Sequence, residues 1–161
     1  MNLVDKIIEQ SKDHKVYVYF DMDGTCVEYK SGEIQLIKGN QPNFFLQKRP
    51  LFTVLSIMEK LSKVDNVVVG ILSNCYFDEQ KADKITWLGK YAPFIKAENI
   101  NIIVLNNETY TPDTKDYLKA NLLKKLHNDT QYVYLIEDNH QILKATIKSG
   151  LNGEHVSTLL S

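Results

Sequence analysis

Cysteine is almost missing: Cys26 and Cys75 are the only two, far apart and without C-x-x-C spacing. That excludes a disulfide scaffold and argues against a structural zinc, leaving reduced thiols as the expectation. Net charge is nearly missing as well, because 19 Lys and Arg stand against 20 Asp and Glu, a formal −1. No global field would draw such a chain to a nucleic-acid polymer or an anionic membrane, so a charged ligand must be met by a local site. No segment approaches the roughly 20 consecutive apolar residues of a membrane span. The opening MNLVDKIIEQSKDHK breaks its apolar residues with charges, so a soluble cytoplasmic protein is expected. Internal repeats and low-complexity tracts are also absent, and the pattern sets no oligomeric state. What is present is a hydrophobic fraction of 43% in 161 residues, enough for one core and too little chain for a second full domain.

Leu3, Val4, Ile7 and Ile8 recur at helical spacing, so a short amphipathic helix precedes a β-branched and aromatic strand at residues 16–20. Residues 30–49 dissolve into Gly32, Gly39, Asn40, Pro42 and Asn43, which is loop chemistry. Pro50 suits a first helical position, and Leu51, Val54, Leu55, Met58 and Leu61 form the stripe of a helix ending near Asp65. The Val-rich run NVVVGILSN reads as a strand covered on both faces. A helix over residues 78–89 follows, with Asp78 as candidate N-cap and Gly89 as stop. INIIVL and QYVYLI supply two more strands. Tyr117, Leu118, Leu122 and Leu126 mark the helix between them, and Ile142, Leu143 and Ile147 mark a last helix before Gly150. HVSTLL reads as a short closing strand. This alternation predicts an α/β fold, a Rossmann-like parallel sheet with helices on both faces, as one domain over residues 1–161. Ligands of such open sheets sit beyond the carboxyl ends of the strands, so the residues there are the ones to read.

The first strand runs into YFDMDGT. Side chains alternate along extended backbone, so Asp21 and Asp23 lean to one side and Met22 to the other. Two anions that close are stable only if a cation screens them or one is protonated. Gly24 permits a sharp turn that gathers backbone N–H groups around an anion. Four fixed residues in D-x-D-G-T recur by chance about once in several hundred chains of this length, so the pattern carries weight.

This motif resembles the first motif of the haloacid dehalogenase (HAD) superfamily of phosphatases. The resemblance implies that Asp21 is a nucleophile attacking phosphorus and Asp23 a general acid and base. The second strand ends in Ser73 and Asn74, matching a second motif that binds the phosphate along with Gly24 and Thr25. LIEDNHQ matches a fourth motif, making Asp138 a metal ligand together with Asp21 and the backbone carbonyl of Asp23. The family's pair is usually Asp-Asp, so Glu137 is a departure, either an outer metal ligand or a surface charge. Hard oxygen ligands with waters and phosphate completing an octahedron describe magnesium. The third motif supplies a lysine, for which Lys96, Lys115 and Lys119 are candidates. Lys115 is preferred because TPDTKDYLKANLL puts it in the first turn of a helix facing the strand ends.

Across residues 67–150 the chain also looks like the 5′(3′)-deoxyribonucleotidase branch, through KITWLGKYAPFI, TKDYL and LIEDNHQILKATIKSG. The implied activity is a magnesium-dependent phosphatase acting through an aspartyl phosphate on small phosphomonoesters, with nucleoside monophosphates as candidates. A non-catalytic nucleotide- or phosphate-binding module that keeps the fold is the alternative. Residues 26–49, where the family carries its cap, are short enough for only a lid loop or minimal cap. There Phe44, Phe45, Lys48 and Arg49 either stack a base and hold a phosphate, or pack the loop onto the core. Trp87 is read as core, and the four histidines show no ligand spacing.

Overall fold

Parallel pairing buries a strand on both faces, and the first strand shows why its sequence hardly alternates in polarity. The computed structural model describes residues 1–106, 108 and 110–161. Helix α1 (Leu3–Ser11) leads into β1 (Val16–Phe20), and α2 (Ile34–Lys38) and α3 (Phe52–Ser62) precede β2 (Val67–Cys75). Then come α4 (Asp78–Tyr91), β3 (Ile100–Val104), α5 (Leu118–Leu126), β4 (Val133–Glu137), α6 (His140–Lys148) and β5 (Asn152–His155). The five strands form one sheet in the order β3-β2-β1-β4-β5, and every pairing is parallel. On one face Val16, Val18 and Phe20 pack with residues of α1, α3 and α4. On the other, Tyr19 packs with Leu72, Leu135 and the α5 residues Ala120 and Leu123. The architecture is the expected three-layer α/β sandwich. No helix among the described residues is long and apolar enough to cross a membrane.

Gly70 shows how closely the layers meet. A Cβ there would lie 2.7 Å from the Tyr19 ring and 2.8 Å from the Asn99 carbonyl oxygen, so only glycine leaves that ring its place.

Several boundaries differ from the sequence reading, each for a local reason. Helix α4 runs past Gly89 to Tyr91, and its cap position is Phe77, with Asp78 as first helical residue. Gly89 is an open position where a side chain would meet nothing, so it imposes no stop. Helix α3 starts at Phe52 because Pro50 is occupied in an isolated bridge with Val27. The loop-like stretch holds α2 and a 3-10 turn at Phe45–Gln47. The closing strand is Asn152–His155, while Val156–Leu160 coils as a 3-10 helix. NGEH lacks β-branched residues and gave no strand signal.

Candidate active site

The β1–β4 register sets Phe20 opposite Ile136, which brings the next residues, Asp21 and Glu137, side by side. The Asp21 N–H donates to the Ile136 carbonyl at 2.9 Å, fixing where the first carboxylate leaves the sheet. Asp138 follows, and single oxygens of Asp21, Glu137 and Asp138 all lie within 4.8 Å of one another. Into this cluster α5 sends Lys119, which donates to Asp21 Oδ1 at 2.8 Å and to Glu137 Oε2 at 2.6 Å. Lys119, Asp21 and Glu137 are all buried, so Glu137 is not a surface charge.

One ammonium cannot balance three carboxylates. Burial, followed by the Glu137 charge, pushes the Asp21 carboxyl up to about 7 despite the pull of Lys119. Asp138 is also raised, chiefly by burial. Burial would lower Lys119, but Asp21 and Glu137 outweigh it and hold the lysine above its ordinary value. The lysine therefore stays charged and the crowding falls on the acids, which gain by taking up a proton or a cation. Surplus negative charge on hard oxygen donors fits magnesium well.

Gly24 makes room for this cluster. Its φ is +82° and a Cβ would lie 2.0 Å from Asp138 Oδ2. In Gly24→Ala the backbone strain costs about 1–3 kcal/mol, while the methyl group drives the Asp138 carboxylate out of the cluster. Thermal melts and magnesium titration should show a folded but weakened protein whose magnesium affinity drops about tenfold or more; unchanged affinity would contradict the packing argument.

Asp23 has a different environment. Lys48 donates to its Oδ1 at 2.5 Å and Lys84 to its Oδ2 at 2.8 Å. Burial alone would raise this carboxyl, but Lys84 and Lys48 together hold it below its ordinary value. The two aspartates of the motif are thus driven apart in acidity, Asp21 upward and Asp23 downward. Lys84 also donates to Ser73 Oγ and to the Asn74 carbonyl, both at 2.8 Å, binding the first two strand ends together. Lys48 is further paired with Glu33 at 2.7 Å.

Asp21, Asp23, Asn74, Lys115, Lys119, Glu137 and Asp138 line one cleft of about 320 Å³. Tyr29, Ile37, Phe45 and Tyr76 form its apolar wall. The lysine buried against Asp21 is Lys119 and not Lys115, the one preferred from the sequence, although both line the cleft. Lys115 lies in a 3-10 turn one turn earlier, its ammonium 6.0 Å from the Tyr76 ring and 5.8 Å from Tyr110. Ser73 and Thr25 are fully buried beneath the cleft, and Thr25 Oγ1 has no partner among the described residues. The N–H groups of Gly24 and Thr25 donate within their own loop, to the carbonyls of Val27 and Met22, so these two donors shape the turn and are not directed at a ligand. Asn74 Oδ1 is buried beside the cleft and has no hydrogen-bond partner among the described residues. Asn139 caps α6, accepting from the N–H groups of Gln141 and Ile142. Cys26 and Cys75 are buried free thiols; burial, then the charges of Asp21 and Asp23, raises Cys26. Phe45 is buried against Lys48 and Lys84, as a residue packing the loop would be.

Sequence reasoning missed Lys84 and Glu33, and did not see Lys48 as a partner of Asp23. For Lys84 a signal existed. Its neighbours at i+3 and i+4 are Trp87 and Leu88, both buried, and a lysine on an apolar helical stripe points inward to a charge.

No protein-family model and no curated protein matches the sequence. Solved structures do. A chain of the Pnkp1/Rnl/Hen1 complex superposes with a TM-score of 0.62 at 17% identity, over 89% of this chain and 46% of that one. This chain therefore spans less than half the length of that neighbour. The HAD domain of the effector protein Lem4 from Legionella pneumophila matches with a TM-score of 0.54 at 14% identity, over 88% of this chain and 84% of that one. A HAD family enzyme from Bacteroides thetaiotaomicron matches with a TM-score of 0.53 at 12% identity, over 89% and 94%. At these identities the likeness shows the fold alone, a Rossmann-like parallel α/β sandwich of the kind those HAD structures have.

Proposed function

We propose that this protein is a magnesium-dependent phosphomonoester hydrolase working through an aspartyl phosphate. The observation that carries the reading is the cluster of Asp21, Glu137 and Asp138 around Lys119 at the carboxyl ends of β1 and β4. Asp21, Asp138 and Glu137, with the Asp23 carbonyl, would hold magnesium, which when bound offsets the repulsion between a carboxylate and a phosphate dianion. Asp21 attacks phosphorus and the bond to the leaving oxygen breaks, its electron pair staying on that oxygen. Asp23 gives that oxygen a proton, then takes one from the water that attacks the aspartyl phosphate, releasing inorganic phosphate and restoring Asp21. Lys84 and Lys48 hold Asp23 ionised in the resting site. The proton it passes to the leaving oxygen is taken up from solvent as the charge of an arriving phosphate draws on both lysines, and the one it later takes from the attacking water returns to solvent when phosphate leaves. Lys119 steadies the charge on the transferring group. Tyr29 and Tyr76 along the cleft favour a flat leaving group, such as a nucleoside of a (deoxy)nucleoside monophosphate.

One observation favours the second reading, a phosphate- or nucleotide-binding module without turnover: both Asp23 oxygens are already held by lysines. A single experiment separates the two. Phosphate release from p-nitrophenyl phosphate, deoxynucleoside monophosphates and sugar phosphates is measured with magnesium and with EDTA. The hydrolase reading expects turnover that EDTA abolishes and magnesium restores. Thermal stabilisation by these ligands without any release would establish the binding module instead.

A further inference from the structure

The segment spanning residues 28–49 reaches the acid Asp23 through one side chain. Lys48 Nζ is shared between Asp23 Oδ1 at 2.5 Å and Glu33 Oε1 at 2.7 Å, and Lys48 and Glu33 are both buried. Rings of the same segment surround the ammonium, Tyr29 at 5.4 Å, Phe44 at 5.7 Å and Phe45 at 5.3 Å from their centroids. Helix α4 enforces the placement. Trp87 Nε1 donates to the Lys48 carbonyl at 3.0 Å, and Gln80 Nε2 to the Ile37 carbonyl at 2.6 Å. Gln80, Lys84 and Trp87 follow at i, i+4 and i+7, a single stripe. One helix face therefore grips the segment's backbone at two points and the far oxygen of Asp23 at a third. Packing alone does not explain a lysine here, because burying an ammonium costs several kcal/mol unless it is paired, and an apolar side chain would fill the space without that cost.

We propose that Lys48 is a positioning residue for the reaction at this site: held by Glu33, it aims the Asp23 carboxyl group at the departing oxygen. A residue of the short cap segment thereby sets how well the protein expels poor leaving groups. The inference rests on the hydrolase reading. When the bond from phosphorus breaks, a misaimed Asp23 delivers no proton and the oxygen must leave as an anion. The penalty grows with the basicity of that oxygen.

The test is kcat and KM for the parent, Lys48→Met, Lys48→Arg and Glu33→Gln on aryl and alkyl phosphates of graded leaving-group basicity, all with magnesium. Lys48→Met is expected to lose at least tenfold more kcat on an alkyl phosphate than on p-nitrophenyl phosphate, and Lys48→Arg to recover part of the difference. Glu33→Gln keeps the lysine and should show a smaller trend of the same sign, which serves if Lys48→Met does not fold. An equal loss across the series, or a loss confined to KM, overturns the inference and leaves the hydrolase reading standing. A parent protein that hydrolyses no member of the series removes both.

Discussion

Purified Asp21→Asn protein is expected to hydrolyse p-nitrophenyl phosphate at least about four orders of magnitude more slowly than the parent, because an amide cannot take the nucleophile's part. The fold should survive, since asparagine keeps the shape and Lys119 keeps its bond to Glu137. Stability should change in a way that identifies the electrostatics. The Asp21 carboxyl is raised from 3.8 to about 7 in the folded chain. Between those values the native state binds more protons than the unfolded one, so stability falls as pH rises across that window and levels off above it. A shift of this size corresponds to a loss of about 4 kcal/mol, at roughly 1.4 kcal/mol per unit. Asparagine does not titrate. In EDTA, melting temperatures of the variant should therefore decline less between pH 4 and 7 than those of the parent. Undiminished hydrolysis would remove Asp21 as nucleophile, and identical pH slopes would show that its burial and its acidic neighbours do not act as described.

The layers and the strand-end acids were legible because they follow from strong local patterns. Strands β1, β2 and β4 announce themselves by β-branched and aromatic runs, and D-x-D-G-T marks where the first one stops. The fixed cations were harder to read because they depend on which face of a helix turns inward. The stripe Tyr117, Leu118, Leu122 and Leu126 pointed to one face of α5, yet Lys119, Ala120 and Leu123 are the buried residues and Leu126 is 49% exposed. Lys115 and Lys119 stand four apart on one helix face, so the stripe could not choose between them. The choice of Lys115 rested on a helix start placed too early, since Lys115 lies in a 3-10 turn and α5 begins only at Leu118. The cap segment was unreadable for another reason. Its short helix and 3-10 turn are held by contacts distant in sequence, from Gln80 to the Ile37 carbonyl, Trp87 to the Lys48 carbonyl and Lys84 to the Phe45 ring, and periodicity within residues 26–49 carries no trace of them.

Those buried lysines explain how one loop can hold two aspartates with opposite tendencies. Asp23 meets two ammonium groups and stays ionised, whereas Asp21 shares one ammonium with Glu137 and lies beside Asp138. The division depends on geometry finer than the D-x-D spacing itself, because both aspartates leave the same strand end.

Lys119→Met is the change expected to damage the fold most. Methionine fills the path of the lysine stem but leaves Asp21 and Glu137 buried without their cation. Removing one partner from a buried ion pair costs about 3–5 kcal/mol. Asp21, already raised, would then hold its proton more tightly, so the loss should be small at pH 5, where protonation relieves it, and large at pH 8. Magnesium should restore more stability to this variant than to the parent, because the ion supplies part of the missing positive charge. Turnover should drop by about 10²–10³, the scale of losing one preorganised electrostatic contact. Denaturant melts at both pH values, with magnesium and with EDTA, check each part. Lys115→Met is the contrast: Lys115 lines the cleft but makes no ion pair among the described residues, so stability should stay within about 0.5 kcal/mol of the parent. Equal stability of Lys119→Met and Lys115→Met at pH 8 in EDTA would mean that the acidic cluster does not depend on the α5 lysine, and the charge balance described for the site would have to be abandoned.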